Sequence, residues 1–281
     1  MTGNIENTLT ESAVKRLAAC GNPRTRQLLE GVIRHLHALV REVEPTPEEW
    51  LEAIRFLTAT GQKCDAQRQE FILLSDVLGV SMLVDAIANR KPAGATESSV
   101  LGPFYMEGAP EYESGCDLAP EEGDKVTVTG MVRGTDGRPV PGALLDVWQT
   151  APDGHYHMQD ASQPEFHLCG RIRADADGRY SFTTVKPVSY PVPTDGPVGS
   201  LLRASGRHAM RPAHIHFIVS APGYERVVTQ LFTQGDEYIE SDAVFGVKES
   251  LIVPYQADST DAAGHPRYRV EYDLVLEPSA G

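Results

Sequence analysis

Basic residues are scarce in this chain: 25 Lys and Arg stand against 39 Asp and Glu, a formal net charge of −14. A surface of that sign repels a phosphate backbone or an anionic bilayer, so no nucleic-acid partner is expected. Long apolar runs are missing as well, none approaching the roughly 18 residues of a membrane span. Residues 1–11 are polar and lack the basic and apolar pattern of a secretory signal. The expectation is a cytoplasmic protein without membrane insertion. Cysteine is sparse, and Cys20, Cys64, Cys116 and Cys169 show neither a CxxC nor a zinc-like spacing. They read as free thiols in a reducing compartment, not as a disulfide framework. Internal repeats and low-complexity tracts are also absent, while 281 residues suffice for a sizeable core in one large or two unequal domains.

What is present divides into a helical first third and a β-rich remainder. Leu28, Leu29, Ile33, Leu36 and Val40 recur at helical spacing. Thr46-Pro47-Glu48-Glu49 reads as a helix start, with Thr46 as N-cap, Pro47 at the first helical position and Glu49 reaching back in a capping box. Trp50, Ile54 and Leu57 follow on one face, and Gly61 is the expected end. A further run covers Phe71, Leu74, Leu78, Met82 and Leu83 up to Ile87, and Lys91-Pro92-Ala93-Gly94 closes the region. From Val126 the period becomes two: 126–132, 143–148, 180–185, 214–220, 227–232, 251–255 and 267–276 read as strands. Asp136-Gly137 and Asp177-Gly178 stand at hairpin-like spacing between them. No βαβ alternation occurs. The fold class expected is α+β, a helical N-terminal region over residues 1–95 followed by a β-sandwich domain over residues 96–281.

The chemistry-bearing residues are two phenols and two imidazoles. Alternation along the strand entered through Pro212 puts His214, His216 and Ile218 on one face and Ile215, Phe217 and Val219 on the other. A His-x-His alone also fits buried or surface histidines satisfied by hydrogen bonds. Tyr156 ends Asp-Gly-His-Tyr after an apolar strand, and Tyr190 sits in Pro-Val-Ser-Tyr-Pro-Val-Pro, where prolines restrict its backbone. A phenol with a reference pKa near ~10 becomes a ligand only when a hard, highly charged ion makes proton loss favourable. Two phenolates and a hydroxide would neutralise Fe(III), whereas two His with one carboxylate suit Fe(II). His155 and His157 form a second His-x-His. In an extended segment they would lie opposite Tyr156, so the three could not share one ion, and both are expected to be exposed. His35, His37, His167, His208 and His265 have no comparable spacing, although His208 stands near the candidate iron loop.

With these residues in place, the chain resembles the intradiol ring-cleavage dioxygenases. The resemblance rests on Gly130, Thr135-Asp136-Gly137, Leu145-Asp146-Val147 and Gly154-His155-Tyr156. It extends to Leu101-Gly102-Pro103-Phe104-Tyr105, Gly206-Arg207-His208 and Arg211 to Phe217, from about Glu49 to the C-terminus. It implies one non-haem Fe(III) per chain, ligated by Tyr156, Tyr190, His214 and His216, with Tyr190 dissociating as substrate chelates. It further implies that Arg211 stabilises negative charge on the substrate ring and that Gln230 hydrogen-bonds substrate or a ligand oxygen. Residues 1–95 become a linker and homodimerisation region, with a phospholipid in an apolar tunnel at the dimer interface.

Within the family, Asp146-Val147-Trp148-Gln149, residues 187–196 and residues 241–248 resemble the branch that cleaves hydroxyquinol to 3-hydroxy-cis,cis-muconate and hence maleylacetate; catechol-preferring relatives usually have His where Gln149 stands. The matching pocket comprises Leu73, Asp76, Val100, Leu101, Gly102, Pro103, Phe104, Val192, Pro193, Arg211 and Val244. A third ring hydroxyl entering an apolar pocket needs an acceptor, and the Asp76 carboxylate offers one. Catechol and chlorocatechol 1,2-dioxygenases are the alternative, and a non-catalytic β-sandwich holding structural zinc is the distant one.

Overall fold

Asn22 accepts a hydrogen bond from the Thr25 amide at 3.0 Å and Pro23 occupies the first turn, starting the longest helix of the chain. In the computed structural model, which describes residues 5–65, 68–90, 92–119 and 123–279, the chain forms two compact units, residues 1–59 and 60–281. Helices α1 (Ile5–Lys15), α2 (Pro23–Val43) and most of α3 (Pro47–Lys63) belong to the first. Arg41 ties α2 to α1 through the Glu6 carbonyl at 3.2 Å, and His37 Nδ1 meets the Thr10 hydroxyl at 3.0 Å. The capping box forms as expected, the Thr46 amide donating to Glu49 Oε2 at 2.8 Å and the Glu49 amide to Thr46 Oγ1 at 3.2 Å. Gly61 does not end α3, which runs on to Lys63. A lone glycine weakens a helix by only about 1 kcal/mol, too little to stop one held by its other turns.

The apolar run from Phe71 to Ile87 is two helices, α4 (Glu70–Val77) and α5 (Val80–Ala88), bent by 79°. Gly79 makes the break, with a left-handed φ of 73° that favours glycine. Of the Lys91 to Gly94 breaker, Lys91 lies outside the described residues. A sixth helix, α6 (Pro197–Ala204), was not legible in the sequence, being short and set among strands.

The strands are β1 (Glu111–Glu113), β2 (Cys116–Asp117), β3 (Lys125–Gly134), β4 (Leu144–Trp148), β5 (Cys169–Arg173), β6 (Arg179–Val185), β7 (Tyr190–Pro191), β8 (Met210–Arg211), β9 (His214–Ser220), β10 (Val227–Thr233), β11 (Ile252–Val253), β12 (Gln256–Thr260), β13 (Pro266–Glu271) and β14 (Leu274–Leu276). One six-stranded sheet runs β1-β5-β4-β9-β10-β11; the other runs β12-β13-β3-β6-β2, with β14 also on β3. The pairing is mixed, β13 lying parallel to β3 and β9 antiparallel to both β4 and β10. Residues 267–276 are two strands rather than one, and 251–255 keep only two strand residues. The Asp136-Gly137 turn closes a short antiparallel ladder in which Arg133 bridges Pro139, but neither it nor the Asp177-Gly178 turn joins two neighbouring strands of one sheet. Each carries the chain from one sheet to the other, β3 to β4 and β5 to β6, and so forms a corner of the sandwich.

Between the sheets lie Val126, Val128, Leu145, Val147, Ile172, Phe182, Ile215, Phe217, Val219 and Leu231. The alternation read from β9 holds: Ile215, Phe217 and Val219 face this core, while Ile218 joins Tyr156, Tyr190 and Trp148 on the other face. All four cysteines are free. Among the described residues no single helix is long and apolar enough to cross a membrane.

Candidate active site

Strand β9 contributes His214 and His216 to the face away from the core, and the remaining donors arrive on loops. Tyr190 sits in β7, which pairs with β8 so that Tyr190 lies opposite Arg211, three residues before His214. Pro212 and Ala213 then lead into β9. Asp236 braces this corner, accepting from the Ser189 hydroxyl and from the Ala213 amide at 3.0 Å. Tyr156 is held by its own amide, which donates to Gln159 Oε1 at 3.0 Å. Gly154, with φ of 84°, turns the chain beneath it; a Cβ there would stand 3.2 Å from the Tyr190 Cβ.

The four donors converge. Tyr156 Oη lies 2.9 Å from Tyr190 Oη and 2.9 Å from His216 Nε2; His214 Nε2 lies 3.1 Å from His216 Nε2 and 3.4 Å from Tyr190 Oη. Donors about 2.0–2.1 Å from a single ion, at right to tetrahedral angles, are about 2.9–3.4 Å apart. The separations therefore match the edges of one coordination shell. His214 Nδ1 donates to the Pro212 carbonyl at 2.7 Å, which leaves the Nε2 lone pair directed at the cluster. His216 is oriented by Trp148, stacked on it at 4.6 Å and 11°, and Phe104 stacks on Tyr156 at 4.6 Å. Among the described residues no group of three or more His, Cys, Asp or Glu could hold a metal, so the phenols are indispensable to any site here.

Burial sets the protonation of the cluster. It pushes the Tyr156 phenol well above its usual range, reinforced by Tyr190. It raises Tyr190 too, but there the Arg211 guanidinium pulls back. Burial, then the charge of Arg211, holds His214 well below the usual histidine range; burial, then His214, does the same for His216. Without a cation the site holds two protonated phenols and two neutral imidazoles, and a cation would release the phenolic protons.

Arg211 is 3 % exposed and anchored by Asp242, with Nε on Oδ1 at 3.1 Å and Nη2 on Oδ2 at 3.2 Å. Burial is the largest influence and would weaken its hold on the proton, but the Asp242 carboxylate, together with Tyr190 and Tyr156, outweighs it and the guanidinium stays charged. Its Nη2 also donates to Gln230 Oε1 at 2.8 Å, and Gln230 Nε2 donates to the Val100 carbonyl at 2.5 Å. Gly246 leaves room for the assembly, since a Cβ there would stand 2.8 Å from Arg211 Nη2. Asp242 and Asp236 were not singled out in the sequence; lone carboxylates in loops give no spacing signal.

A narrow cleft opens beside the donors, lined by Leu73, Asp76, Val100, Gly102, Pro103, Phe104, Tyr190, Val192, Pro193, Arg211, His216 and Val244. Every expected pocket residue except Leu101 is there. Leu101 does not line it and is 39 % exposed. Asp76 is 5 % exposed and its carboxyl is raised above the usual range by burial, with the Ser81 hydroxyl and Arg211 opposing. His155 is exposed as expected, but His157 is buried, since a short 3-10 turn replaces the extended segment and packs its ring by Phe166. His208 bonds Ser241 and the Met210 amide. Gln149 is buried, donating to the Val185 carbonyl at 3.0 Å and accepting from Thr184.

A family model described as "Dioxygenase" matches residues 100–278, and one described as "Catechol dioxygenase N terminus" matches residues 22–96. The chain belongs to the intradiol dioxygenase family. Such an enzyme carries non-haem iron, and the half-phenolic donor set of this dioxygenase suits it. The two family models meet between residues 96 and 100, close to the boundary read from the sequence, whereas the two compact units meet at 59/60 and leave α4 and α5 with the sheets. The dioxygenase is 50% identical over 277 residues to 6-chlorohydroxyquinol 1,2-dioxygenase of Cupriavidus pinatubonensis, covering 98% of each chain. It is 52% identical to hydroxyquinol 1,2-dioxygenase of a Rhizobium species, covering 97% of this chain and 95% of that one. The crystal structure of hydroxyquinol 1,2-dioxygenase from Pseudomonas putida DLL-E4 superposes with a TM-score of 0.92 at 51% identity, covering 98% of this chain and 99% of that chain.

Proposed function

We propose that this dioxygenase cleaves hydroxyquinol, benzene-1,2,4-triol, with O2 between its adjacent hydroxyl-bearing carbons, giving 3-hydroxy-cis,cis-muconate and hence maleylacetate. The observation that carries the reading is Asp76, a buried carboxylate in an otherwise largely apolar cleft that also borders Tyr190 and His216. A catechol offers that carboxylate nothing in exchange for its desolvation; a third ring hydroxyl donates to it. The names of the relatives at 50–52% identity agree.

One Fe(III) per chain would be held by Tyr156, Tyr190, His214 and His216, where it supplies Lewis acidity and accepts electron density from the bound diol. The residues do the rest. Tyr190 borders the cleft and Tyr156 does not, so Tyr190 is the phenolate placed to take a substrate proton and leave, while Tyr156 stays. Arg211, fixed by Asp242, presents a permanent positive charge where the ring becomes anionic. Gln230 holds Arg211 to the Val100 segment and offers its amide to substrate or a ligand oxygen.

Assembly follows from the first unit. Leu28, Val32, Leu36, Leu39 and Val43 of α2 are all more than half exposed, as is Trp50 of α3. Apolar area of that extent is normally covered, which supports a homodimer with a phospholipid in an apolar tunnel at its interface; lipid extraction and mass spectrometry test the latter. Four free thiols and a charge of −14 support a cytoplasmic setting.

The deciding experiment is oxygen uptake with hydroxyquinol, catechol and chlorocatechols side by side, with product spectra. Hydroxyquinol is expected to have the highest kcat/KM, and a higher value for catechol or a chlorocatechol would overturn the assignment. Tyr190→Phe is expected to retain iron and lose most turnover; unimpaired turnover in the folded variant would exclude Tyr190 as the base.

A further inference from the structure

The Gly206-Arg207-His208 motif touches neither the donor cluster nor the cleft, yet Arg207 makes two directed contacts. Its Nη1 donates to the Val77 carbonyl at 2.5 Å and its Nη2 to the Ala243 carbonyl at 2.9 Å, with the guanidinium 5.0 Å over the Phe245 ring. Val77 is the last residue of α4, so a cation there meets the negative end of the helix. Ala243 precedes Val244, which lines another wall of the cleft. Gly206 aims the arginine: with φ of 68° it caps α6, its amide donating to Arg203 and that of Arg207 to the Leu202 carbonyl.

The opposite end of α4 is fixed as well. Glu70, in the first turn of α4, is fully buried. Its Oε1 accepts from the Val198 amide at 3.1 Å, at the start of α6, where Gly196 supplies no side-chain cap. Its Oε2 accepts from Arg68 Nε at 2.9 Å, and Arg68 Nη1 in turn holds Asp195 at 2.6 Å. A Cβ on Gly196 would stand 2.3 Å from Glu70 Oε1, so a larger residue here would push the Glu70 carboxylate aside. α4 and α6, both of eight residues, are thus tied start to start by Glu70 and end to end by Arg207. Leu73, Val77, Val198 and Leu202 fill the space between them.

Asp76 and Leu73, the α4 residues that line the cleft, lie between the two ties. We propose that Glu70 and Arg207 are positioning residues that determine substrate specificity, fixing α4 against the Val192–Pro193 and Val244 walls so that Asp76 meets the third ring hydroxyl. The proposal rests on the hydroxyquinol reading above. A carboxylate a fraction of an ångström out of place still leaves the diol end of the substrate seated, so the loss falls on the triol alone.

The test uses the iron-loaded enzyme with Arg207→Lys, whose single ammonium cannot span both carbonyls, and with Glu70→Gln, which keeps the shape and loses the charge. In both, the ratio of kcat/KM for hydroxyquinol to that for catechol is expected to fall about three- to tenfold, the range of one weakened hydrogen bond, mainly through the KM for hydroxyquinol. A visible charge-transfer band from tyrosinate to Fe(III), expected of the iron-loaded parent, is expected to persist in both. Tyr180→Phe, which removes a hydrogen bond to the Tyr272 carbonyl within the sandwich, controls for destabilisation and is expected to lower Tm with the ratio unmoved. An unchanged ratio in the two folded variants, or equal losses on both substrates, overturns the proposal. A parent that prefers catechol refutes the hydroxyquinol reading instead, and the ties are then still read from whether the two variants move the ratio.

Discussion

Asp76 sets function against stability. Burial raises its carboxyl above the usual range, so the folded protein binds that proton more tightly than the unfolded chain does. The favourable contribution is complete below the unfolded pKa of about 4 and is lost as pH rises through the folded value. Asp76→Asn is therefore expected to melt above the parent at pH 7, with the gap closing as the pH is lowered to about 4; a lower Tm at pH 7 would contradict the sign. Asp76→Ala is expected to narrow the preference for hydroxyquinol, since a buried hydroxyl without an acceptor costs about 1–3 kcal/mol, and kcat/KM on both substrates reads this directly. Tyr156, Tyr190, His214 and His216 were picked out in the sequence through the neighbouring motifs that resemble the family, since neither a His-x-His nor a loop tyrosine is specific by itself, and the fold brings the four together. Asp242, Asp236 and Glu70 were not picked out. Each acts on a partner 23 to 128 positions away, and nothing local marks a carboxylate for such a task.

At the scale of the element, periodicity located the long helices and the inner strands and failed where a single backbone angle decides. The run from Phe71 to Ile87 keeps an apolar pattern through Gly79, and only the left-handed turn there separates the Asp76 helix from the next. Gly79→Ala is expected to cost about 1–2 kcal/mol from that conformation, with further crowding from a Cβ placed 3.3 Å from the Phe245 ring. Thermal or denaturant melting checks it; an unchanged Tm would mean that the elbow reshapes freely. The Asp-Gly turns misled for a related reason. Their composition specifies a tight reversal, but whether the next strand pairs with the last or crosses to the other sheet depends on which face is buried. β1, β2 and β11 are too short for any alternation to show.

At the scale of the whole molecule, α2 presents Leu28, Val32, Leu36, Leu39 and Val43 at three- and four-residue steps, all exposed. If a second chain covers that stripe, Leu36→Glu places a charge in it, and light scattering is expected to show dissociation toward the monomer at unchanged kcat per iron. A parent already monomeric at working concentration would dispose of the dimer. The donor set also carries a consequence for the life of the protein in the cell. Tyr156, Tyr190 and His216 are distant in the chain and meet within 3 Å through their side chains, so a metal bound there closes the loop from residue 156 to residue 216. It would be a removable crosslink, stabilising the folded chain by mass action because the unfolded chain scatters its donors, and so answerable to iron supply instead of redox state. A cell short of iron would then hold not an idle stock of this enzyme but a dwindling one, the metal-free chain opening more often to proteases and yielding its amino acids back.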